Sequence, residues 1–456
     1  MDPYLLSRRR FIGNACAAVG ATGVLSALAQ LRMIGAVAAD SSTSTDFKAL
    51  VCLFLYGGND SNNVLIPFDA SDYASYAAQR TALAIPQGQL LPITPKATDG
   101  RSWGLHPSLA EVQGLFNQGN LAILANTGTL VQPVTLAQYN AGTVALPPQL
   151  FSHADQQVQW QSSIPDQPFQ TGWGGRTADL INAINSNPKI SMSISVAGEN
   201  SFQVGNVVSQ FAVNPGGAVT VAGSTGGSIN PARFAAEQNI LSQQDVNLFQ
   251  AAFGGVTKSA IGASTTLNSV LANAVTLKTK FPSTSLGTEL QMIAKLISVS
   301  AQLGLKRQIF FASLGGWDLH SGELPAHATL LQQLSQGLSA FNSATAELGL
   351  SQQVTTFTAS DFSRTFNTNG DGSDHGWGSH HLIMGGAVQG GQIYGKLQNL
   401  TIGGPDDTGR GRWIPTTSVD QYAATLASWF GVSAANLPVV LPNIGRFATA
   451  NLGFMG

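Results

Sequence analysis

Apolar residues form short continuous runs that alternate with segments of helical spacing. Residues 47–56 are almost all apolar and end at Gly57-Gly58, which is typical of a strand buried on both faces of a parallel sheet. Residues 107–118 carry apolar side chains at the three- and four-residue spacing of a helix, and 121–126 read as the next strand. This order predicts a strand, helix, strand unit.

The same alternation returns in the C-terminal half of the chain. We predict a strand at 308–314, a long amphipathic helix at 326–348 and another strand at 354–359. Strands that alternate with helices favour an α/β fold. We therefore expect a mostly parallel sheet with helices on both faces.

The segment at about 190–290 has a different composition, rich in Gly, Ser, Asn, Val and Thr. We expect a polar hairpin or loop at 218–228, followed by helices near 230–252 and 285–304. The segment offers no candidate chemistry, so we interpret it as an inserted cap or substrate-shaping region. Because no charged or proline-rich linker divides the remainder, residues 40–456 are predicted to form one large domain.

Residues 1–39 are predicted to be a twin-arginine signal peptide. In Ser7-Arg8-Arg9-Arg10-Phe11-Ile12, adjacent arginines precede an aromatic and an aliphatic residue, and a weakly apolar run follows at 15–31. That run is too short and too weakly hydrophobic for a comfortable membrane span, and small residues after it favour cleavage after Ala38 or Ala39. The alternative is an uncleaved N-terminal anchor.

Cleavage predicts a periplasmic or secreted protein without a stable membrane span, exported folded by its partner, the twin-arginine translocase. The composition agrees with export. Only 10% of the residues are charged and the formal net charge is −2, so no basic surface is predicted to hold nucleic acid.

Polar clusters gather at the ends of the predicted strands. Because loops at the carboxyl ends of parallel strands converge on one crevice, we expect these clusters to lie together. They occupy 57–63, 315–320, 360–364 and 371–381. Their candidate metal ligands are Asp60, Asp318, His320, Asp361, Asp374 and His375.

Carboxylates and imidazoles in one crevice indicate a metal site. Four of the seven histidines lie in the second and fourth clusters. This mixture suits zinc, manganese or iron, whereas calcium and magnesium prefer oxygen ligands alone. We therefore expect one or two divalent ions of zinc, manganese or iron. Two ions would clamp the attacking and departing oxygens of an ester displacement. Taken singly, 57–63 could be a glycine turn with an Asx cap, and Asp318 with His320 a surface pair.

Four motifs occur together in these clusters: Gly57-Gly58-Asn59-Asp60, Trp317-Asp318-Leu319-His320, Ser360-Asp361-Phe362-Ser363-Arg364-Thr365 and Asp374-His375-Gly376-Trp377-Gly378. Over essentially the whole chain, including the signal, the sequence resembles the exported bacterial proteins grouped as domain of unknown function 1501. That family looks like a branch of the alkaline phosphatase and sulfatase superfamily. The resemblance implies an alkaline phosphatase-like fold and a metal-dependent hydrolase or transferase of phosphate or sulfate esters.

The resemblance also implies roles for the candidate ligands. Asp60 resembles the metal-binding aspartate after the first strand of the superfamily. Asp318 and His320 resemble an aspartate and histidine pair that binds one ion, although one residue separates them here instead of three. His375 resembles the last metal histidine before the final core strand.

One position departs from the superfamily pattern. Asp361 resembles the aspartate of an Asp-His dipeptide, but Phe362 stands where the histidine is expected. One expected ligand is therefore missing, and Asp374 is the candidate replacement.

The superfamily places its nucleophile at a helix N-terminus, where backbone N–H groups favour an anion. Ser152 matches this best, with His153 as a candidate assistant; the alternative is that Ser152 only caps the helix. Arg364 and Arg176 are candidates to hold an anionic ester oxygen. The signature Cys or Ser, any residue, Pro, any residue, Arg is absent, which disfavours a formylglycine sulfatase.

The sequence thus predicts an exported metal-dependent hydrolase whose substrate is a small anionic ester or a decorated polysaccharide. An alternative is a non-catalytic binding or assembly protein with a degenerate metal site, which Phe362 favours. A third hypothesis is carbohydrate binding by tryptophans in polar loops. Those tryptophans are Trp103, Trp160, Trp173 and Trp377.

Overall fold

The computed structural model describes residues 46–97, 100–185, 188–218, 231–243 and 248–456. The predicted signal peptide at 1–39 lies outside the described residues, as does the predicted loop at 218–228 except for its first residue. Within the described ranges, no helix is long and apolar enough to cross a membrane.

A large mixed sheet forms the centre of the molecule. Its strand order is β14-β5-β13-β10-β1-β9-β6-β7-β8, and β15 also pairs with β5. The strands, in chain order, are β1 Lys48–Tyr56, β2 Leu65–Pro67, β3 Leu91–Ile93, β4 Trp103–Leu105, β5 Leu121–Gly128, β6 Ser193–Ser195, β7 Phe211–Asn214, β8 Gly217–Ala218, β9 Arg307–Gly315, β10 Val354–Ser360, β11 Arg364–Thr368, β12 Ser373–His375, β13 Ser379–Met384, β14 Ile393–Tyr394 and β15 Thr417–Ser418.

Most neighbouring strands of this sheet run parallel. β1 lies between β9 and β10 and is parallel to both, with Leu53 opposite Ala312 on one side and Thr358 on the other. β13 is antiparallel to both of its neighbours, β10 and β5. β10 and β5 themselves run in the same direction as β1. Two small sheets, β11 with β12 and β2-β4-β3, lie beside the central one.

Helices cover the central sheet in two layers. The α-helices are α1 Ala70–Arg80, α2 Ala110–Asn117, α3 Leu136–Ala141, α4 His153–Ser162, α5 Trp173–Ile181, α6 Pro231–Leu241, α7 Leu248–Leu271, α8 Ser285–Ser298, α9 Glu323–Glu347, α10 Val419–Phe430 and α11 Leu437–Val440. In one layer α9 packs on α2 and α8, and α8 packs on β9. In the other layer α10 packs on β1, α4 on β10 and α5 on β9.

The burial of β1 explains why the sequence predicts this architecture. Every side chain from Ala49 to Leu55 is buried, because helices cover both faces of the strand. The predicted α/β fold, with a mostly parallel sheet and helices on both faces, is confirmed. Part of the segment interpreted as an insert joins the sheet, since β6, β7 and β8 extend its edge beyond β9.

Candidate metal centre

The site lies where three neighbouring strands end. β1, β9 and β10 are parallel and adjacent, so the loops that follow them leave the same edge of the sheet. Gly57, directly after β1, has a φ of 118°, and a Cβ atom on it would lie 2.4 Å from the backbone nitrogen of Asp318. The close approach of the β1 and β9 loops therefore requires glycine at this position.

Three imidazoles and one carboxylate converge at this edge. Oδ1 of Asp318 lies 3.3 Å from Nε2 of His153 and 3.4 Å from Nε2 of His375. The same oxygen is 3.0 Å from Nε2 of His320. Nε2 of His375 is in turn 3.1 Å from Nε2 of His153 and 3.0 Å from Nε2 of His320. The separations among His153, Asp318 and His375 are close to the edges of about 3.3 Å in a tetrahedron with ligand bonds of about 2.0–2.1 Å. His320 contacts Asp318 and His375 but lies outside the group of donor atoms that are all within 4.8 Å of one another.

Two of the imidazoles are oriented by strong acceptors on their other nitrogen. Nδ1 of His153 donates to Oδ2 of Asp361 at 2.6 Å, and Nδ1 of His375 donates to the carbonyl oxygen of Phe151 at 2.6 Å. Because a carboxylate and a carbonyl only accept, the proton of each neutral ring is fixed on Nδ1. The lone pairs of both Nε2 atoms therefore point at the shared centre.

The third imidazole is oriented in the same way. Nδ1 of His320 faces Oδ1 of Asp374 at 3.2 Å. Partial burial opposes ionisation of Asp374, but hydrogen bonds from Asn369 and Arg410 outweigh it and lower its pKa to about 2. Asp374 is therefore a carboxylate that accepts from the His320 ring.

A cation would be stabilised at this centre, because lone pairs of neutral imidazoles repel at these distances. The hydrogen bond to Asp361 raises the pKa of His153, whereas burial lowers the pKa of His375. A proton shared by this pair would relieve part of the repulsion. A metal ion would relieve all of it, and three imidazole nitrogens with one carboxylate oxygen form a donor set that fits a transition metal. Among the described residues, donor atoms of His153, Asp318 and His375 lie within 4.8 Å of one another.

Arg364 holds the aspartate of this centre. Its Nη1 atom donates to Oδ1 of Asp318 at 2.7 Å and to the carbonyl oxygen of Gly57 at 3.2 Å, and its Nη2 atom donates to the carbonyl of Ser373. Burial opposes ionisation of Asp318, but Arg364 outweighs that effect and lowers the pKa of Asp318. The Arg364 side chain is 0% exposed. Its hydrogen bond to Asp318 therefore holds a candidate metal ligand in place.

Phe362 packs beneath two of the histidines. Its ring centroid is 4.8 Å from that of His375, nearly parallel to it, and 4.8 Å from that of His153. The residue that replaces the superfamily histidine thus supports two candidate ligands by van der Waals contact instead of supplying a third.

The segment before α4 combines a strained backbone with the predicted nucleophile. Phe151 has a φ of 72°, a left-handed conformation that costs an L-residue about 1–2 kcal/mol, and this geometry aims its carbonyl at His375. Ser152 follows as the N-cap residue of α4, and its hydroxyl donates to Oδ2 of Asp155 at 2.6 Å.

Asp60 lies in a separate buried network. Its carboxylate pairs with Nη2 of Arg80 and accepts from Nδ2 of Asn62 at 3.0 Å. Nη1 of Arg80 donates to the carbonyls of Thr365 and Phe366, both at 3.0 Å. The structure thus makes Asp60 the counterion of a buried arginine and does not bring it to the three histidines.

The charges of this network balance. Burial opposes ionisation of Asp60, but the Arg80 guanidinium outweighs it and holds the pKa of Asp60 below its ordinary value. Burial and the adjacent Asp60 carboxylate raise the pKa of Glu323 to about 9, so Glu323 is neutral at pH 7. One positive and one negative charge, on Arg80 and Asp60, therefore remain in this network.

Other residues singled out from the sequence are enclosed in the protein. Arg176 is buried and donates to the carbonyls of Val440, Thr171 and Ser162. The four tryptophans considered for sugar binding are each 3% exposed or less, so they pack in the interior and offer no face to a sugar. These are Trp103, Trp160, Trp173 and Trp377.

The structure thus sorts the predicted site residues into three groups. Asp318, His320 and His375 converge with their donor atoms inward, and His153, predicted as an assistant, joins them. The orienting group is Asp361, Asp374 and Arg364. Asp60 lies in the buried network and Ser152 directly before α4. Sequence reasoning missed the Phe151 carbonyl, for which the chain offers no signal.

Fold and site together define a mixed α/β protein with a candidate metal centre of three histidines and one aspartate. The chain belongs to the family described as "Protein of unknown function (DUF1501)", whose model matches residues 47–404. No curated protein matches the chain.

Several solved structures resemble the chain weakly in overall fold. The PsFucS1 sulfatase from Pseudoalteromonas sp. has a TM-score of 0.36 at 10% identity, over 90% of this chain and 73% of its own. Ps i-CgsB in complex with k-i-k-neocarrahexaose has a TM-score of 0.32 at 7% identity, over 89% and 78%. The phosphonate monoester hydrolase of Agrobacterium radiobacter has a TM-score of 0.30 at 8% identity, over 85% and 74%. Similarity at this level assigns no activity to this chain.

We predict that Asp60→Asn destabilises the fold while leaving the metal content of folded protein unchanged. The substitution removes the counterion of a buried arginine, which should lower the free energy of unfolding by about 3–5 kcal/mol in urea denaturation. Glu323→Gln is the matched control, because it exchanges one neutral group for another and should cost much less. A stable Asp60→Asn protein that binds no metal would instead make Asp60 a ligand.

Metal affinity should fall as the pH drops through the pKa of His153, which Asp361 raises above its ordinary value of 6.5. The ion must displace the proton from Nε2, so the apparent affinity should decline about tenfold per pH unit for each proton displaced. Titration with zinc at pH 5 to 8 measures this.

Asp361→Asn should weaken zinc binding about 10- to 100-fold at neutral pH and move the decline to lower pH. Asp166→Asn, which removes the surface partner of Arg446, is the control and should change neither value. Zinc affinity that does not vary with pH would contradict a centre built from these imidazoles.

Proposed function

We propose that the protein is an exported metal-dependent hydrolase of phosphate or sulfate esters that does not use formylglycine. One observation carries the proposal: Oδ1 of Asp318 lies 3.0–3.4 Å from Nε2 of His153, His320 and His375, and Nε2 of His375 lies 3.0–3.1 Å from Nε2 of His153 and of His320. This donor set suits zinc, manganese or iron better than calcium or magnesium. The motifs shared with the alkaline phosphatase and sulfatase superfamily give the reaction class, and the proposed substrate is a small anionic ester or a decorated polysaccharide.

The donor set fits one ion better than two. Asp361 and Asp374, both predicted as ligands, accept hydrogen bonds from the imidazoles of His153 and His320. Such carboxylates orient the histidines and increase their basicity. We therefore propose a single ion held by His153, Asp318 and His375, whose donor atoms lie within 4.8 Å of one another, with His320 beside a fourth position.

When bound, such an ion stabilises the negative charge that develops on the oxygens of an ester under attack. The chain's own groups prepare the site for this. Arg364 keeps Asp318 ionised, and Phe362 shields one side of His153 and His375 from water. Shielding strengthens every electrostatic interaction within the site.

Ser152 is the proposed attacking group, with a water molecule as the other candidate. The Ser152 hydroxyl donates to Asp155 at 2.6 Å, so this carboxylate is placed to accept the proton as the oxygen attacks. Ser152 directly precedes α4, whose first N–H groups favour a bound anion. His153 contributes its Nε2 atom to the centre and so is proposed as a ligand.

The number of protein donors also favours a second candidate function. Catalytic zinc sites usually keep three protein ligands and one open position, whereas structural sites are closed by four. If His320 also moves in to bind the ion, four donors close the centre, and the protein is a binding or assembly protein. The exposure of His320, 46% for its side chain, favours an open position there and hence the enzyme.

Hydrolysis assays separate these functions. Protein purified without chelator should contain one equivalent of transition metal and cleave aryl phosphates or aryl sulfates, and chelation should abolish cleavage. Ser152→Ala should lower kcat about a thousandfold or more if serine attacks, whereas retained activity would assign the attack to water. Ser343→Ala, on the exposed face of α9, is the control. A wild-type protein that contains metal but is inactive would favour the binding or assembly protein. A wild-type protein without metal or activity would contradict both the hydrolase and the metal-binding assembly protein.

We also propose that the protein reaches the periplasm or the exterior through the twin-arginine pathway, on the strength of the motif at 7–12. Replacing Arg8 and Arg9 together by lysine should leave the precursor in the cytoplasm. Unchanged export of that variant, measured by cell fractionation, would contradict this route.

A further inference from the structure

Arg410 lies at the edge of the metal centre. It is not a candidate metal ligand, and it was not singled out from the sequence. The Arg410 side chain is 45% exposed, and its Nη1 atom pairs with Oδ2 of Asp374. The other oxygen of Asp374 faces Nδ1 of His320 at 3.2 Å. One carboxylate thus connects the guanidinium of Arg410 to an imidazole of the centre.

The loop that carries Arg410 is held firmly. Oδ1 of Asp407 accepts from the backbone nitrogens of Gly409 at 2.7 Å and Gly411 at 2.8 Å. The carbonyl oxygen of Arg410 accepts from the nitrogen of Asn367 at 3.1 Å, which fixes the loop to β11. The backbone position of Arg410 is therefore set by the fold.

The backbone at Arg410 is in a conformation that favours glycine. Its φ is 63°, between 119° at Gly409 and 73° at Gly411. A Cβ atom on Gly411 would lie 2.2 Å from Cβ of Phe366, so glycine is required there, whereas position 410 carries a long charged side chain in spite of its strained backbone. Strain of this kind gathers at ligand-binding sites, which points to a role for the side chain itself.

The other two arginines of the site are less exposed than Arg410. Arg364 is buried against Asp318. Arg412 donates from Nε to the carbonyl of His375 at 3.0 Å, and its guanidinium lies 4.6 Å from the ring centroid of Phe151. Arg410 is the exposed arginine of the three, and a guanidinium fork matches two oxygens of a tetrahedral oxyanion.

We propose that Arg410 is the residue that recognises the anionic group of the substrate, a tetrahedral oxyanion of the sulfate or phosphate class. The assignment to an ester substrate rests on the proposed function. Binding of the oxyanion itself does not, and it can be measured without turnover.

Calorimetric titration of the metal-loaded, full-length protein with inorganic sulfate and, separately, inorganic phosphate tests the proposal. Arg410→Ala and Arg410→Gly should weaken binding of the preferred anion about 10- to 100-fold, the loss expected for hydrogen bonds to a charged group. Arg410→Gly relieves the left-handed backbone and so guards against misfolding. Arg410→Lys keeps the positive charge but loses the paired N–H donors of the guanidinium. It should bind the anion with an affinity between those of the wild type and Arg410→Ala.

Arg446→Ala is the matched control. Arg446 is 42% exposed and pairs with Asp166 at 2.8 Å, much as Arg410 pairs with Asp374. The control should bind the anion like the wild type, and every variant should retain its metal. The anion that binds more tightly identifies the substrate class.

Three results would overturn the proposal: equal anion affinity in wild type and Arg410 variants, loss of metal in parallel with loss of anion binding, or a wild type that binds neither anion. The second would make Arg410 a positioning residue for Asp374 and His320. A wild type that binds anion through Arg410 but cleaves no aryl ester would refute the hydrolase and leave the anion site standing.

Discussion

The structure depends on the orientation of three imidazoles around one carboxylate oxygen. Each ring has its Nδ1 proton directed to an acceptor outside the centre, so each Nε2 lone pair is directed inward. A cation among them would relieve the repulsion between the lone pairs of neutral rings. The acceptors are therefore as essential as the donors, and one of them, the Phe151 carbonyl, is supplied by a residue held in a left-handed conformation.

The fold supplies this arrangement through the parallel core of the sheet. β1, β9 and β10 end together, and the glycine after β1 lets the β9 loop approach close enough to place Asp318 beside Arg364. Beneath the same loops, the Arg80 and Asp60 pair joins α1 to the β1 loop and to β11. A buried pair of this kind contributes little net stability, but it specifies where the loops lie.

Much of this could be predicted from the sequence, and the failures have physical causes. The run at 47–56 is apolar because both faces of β1 are covered, so the strand and the parallel sheet follow from the pattern. Asp318, His320 and His375 could be found because they follow strands or lie close after them. His153 could only be placed as an assistant, because it begins a helix and reaches the centre through tertiary packing. Asp60 has the sequence context of a ligand, but nothing in the polar pattern of α1 signals that Arg80 is buried against it.

X-ray absorption spectroscopy of the metal in protein purified without chelator tests the central claim most directly. The account predicts a shell of nitrogen and oxygen atoms at about 2.0–2.1 Å with the outer-shell scattering of the His153 and His375 imidazoles, and loss of one imidazole in His375→Ala. A shell of oxygen atoms without imidazole scattering, or protein that binds no metal, would contradict it.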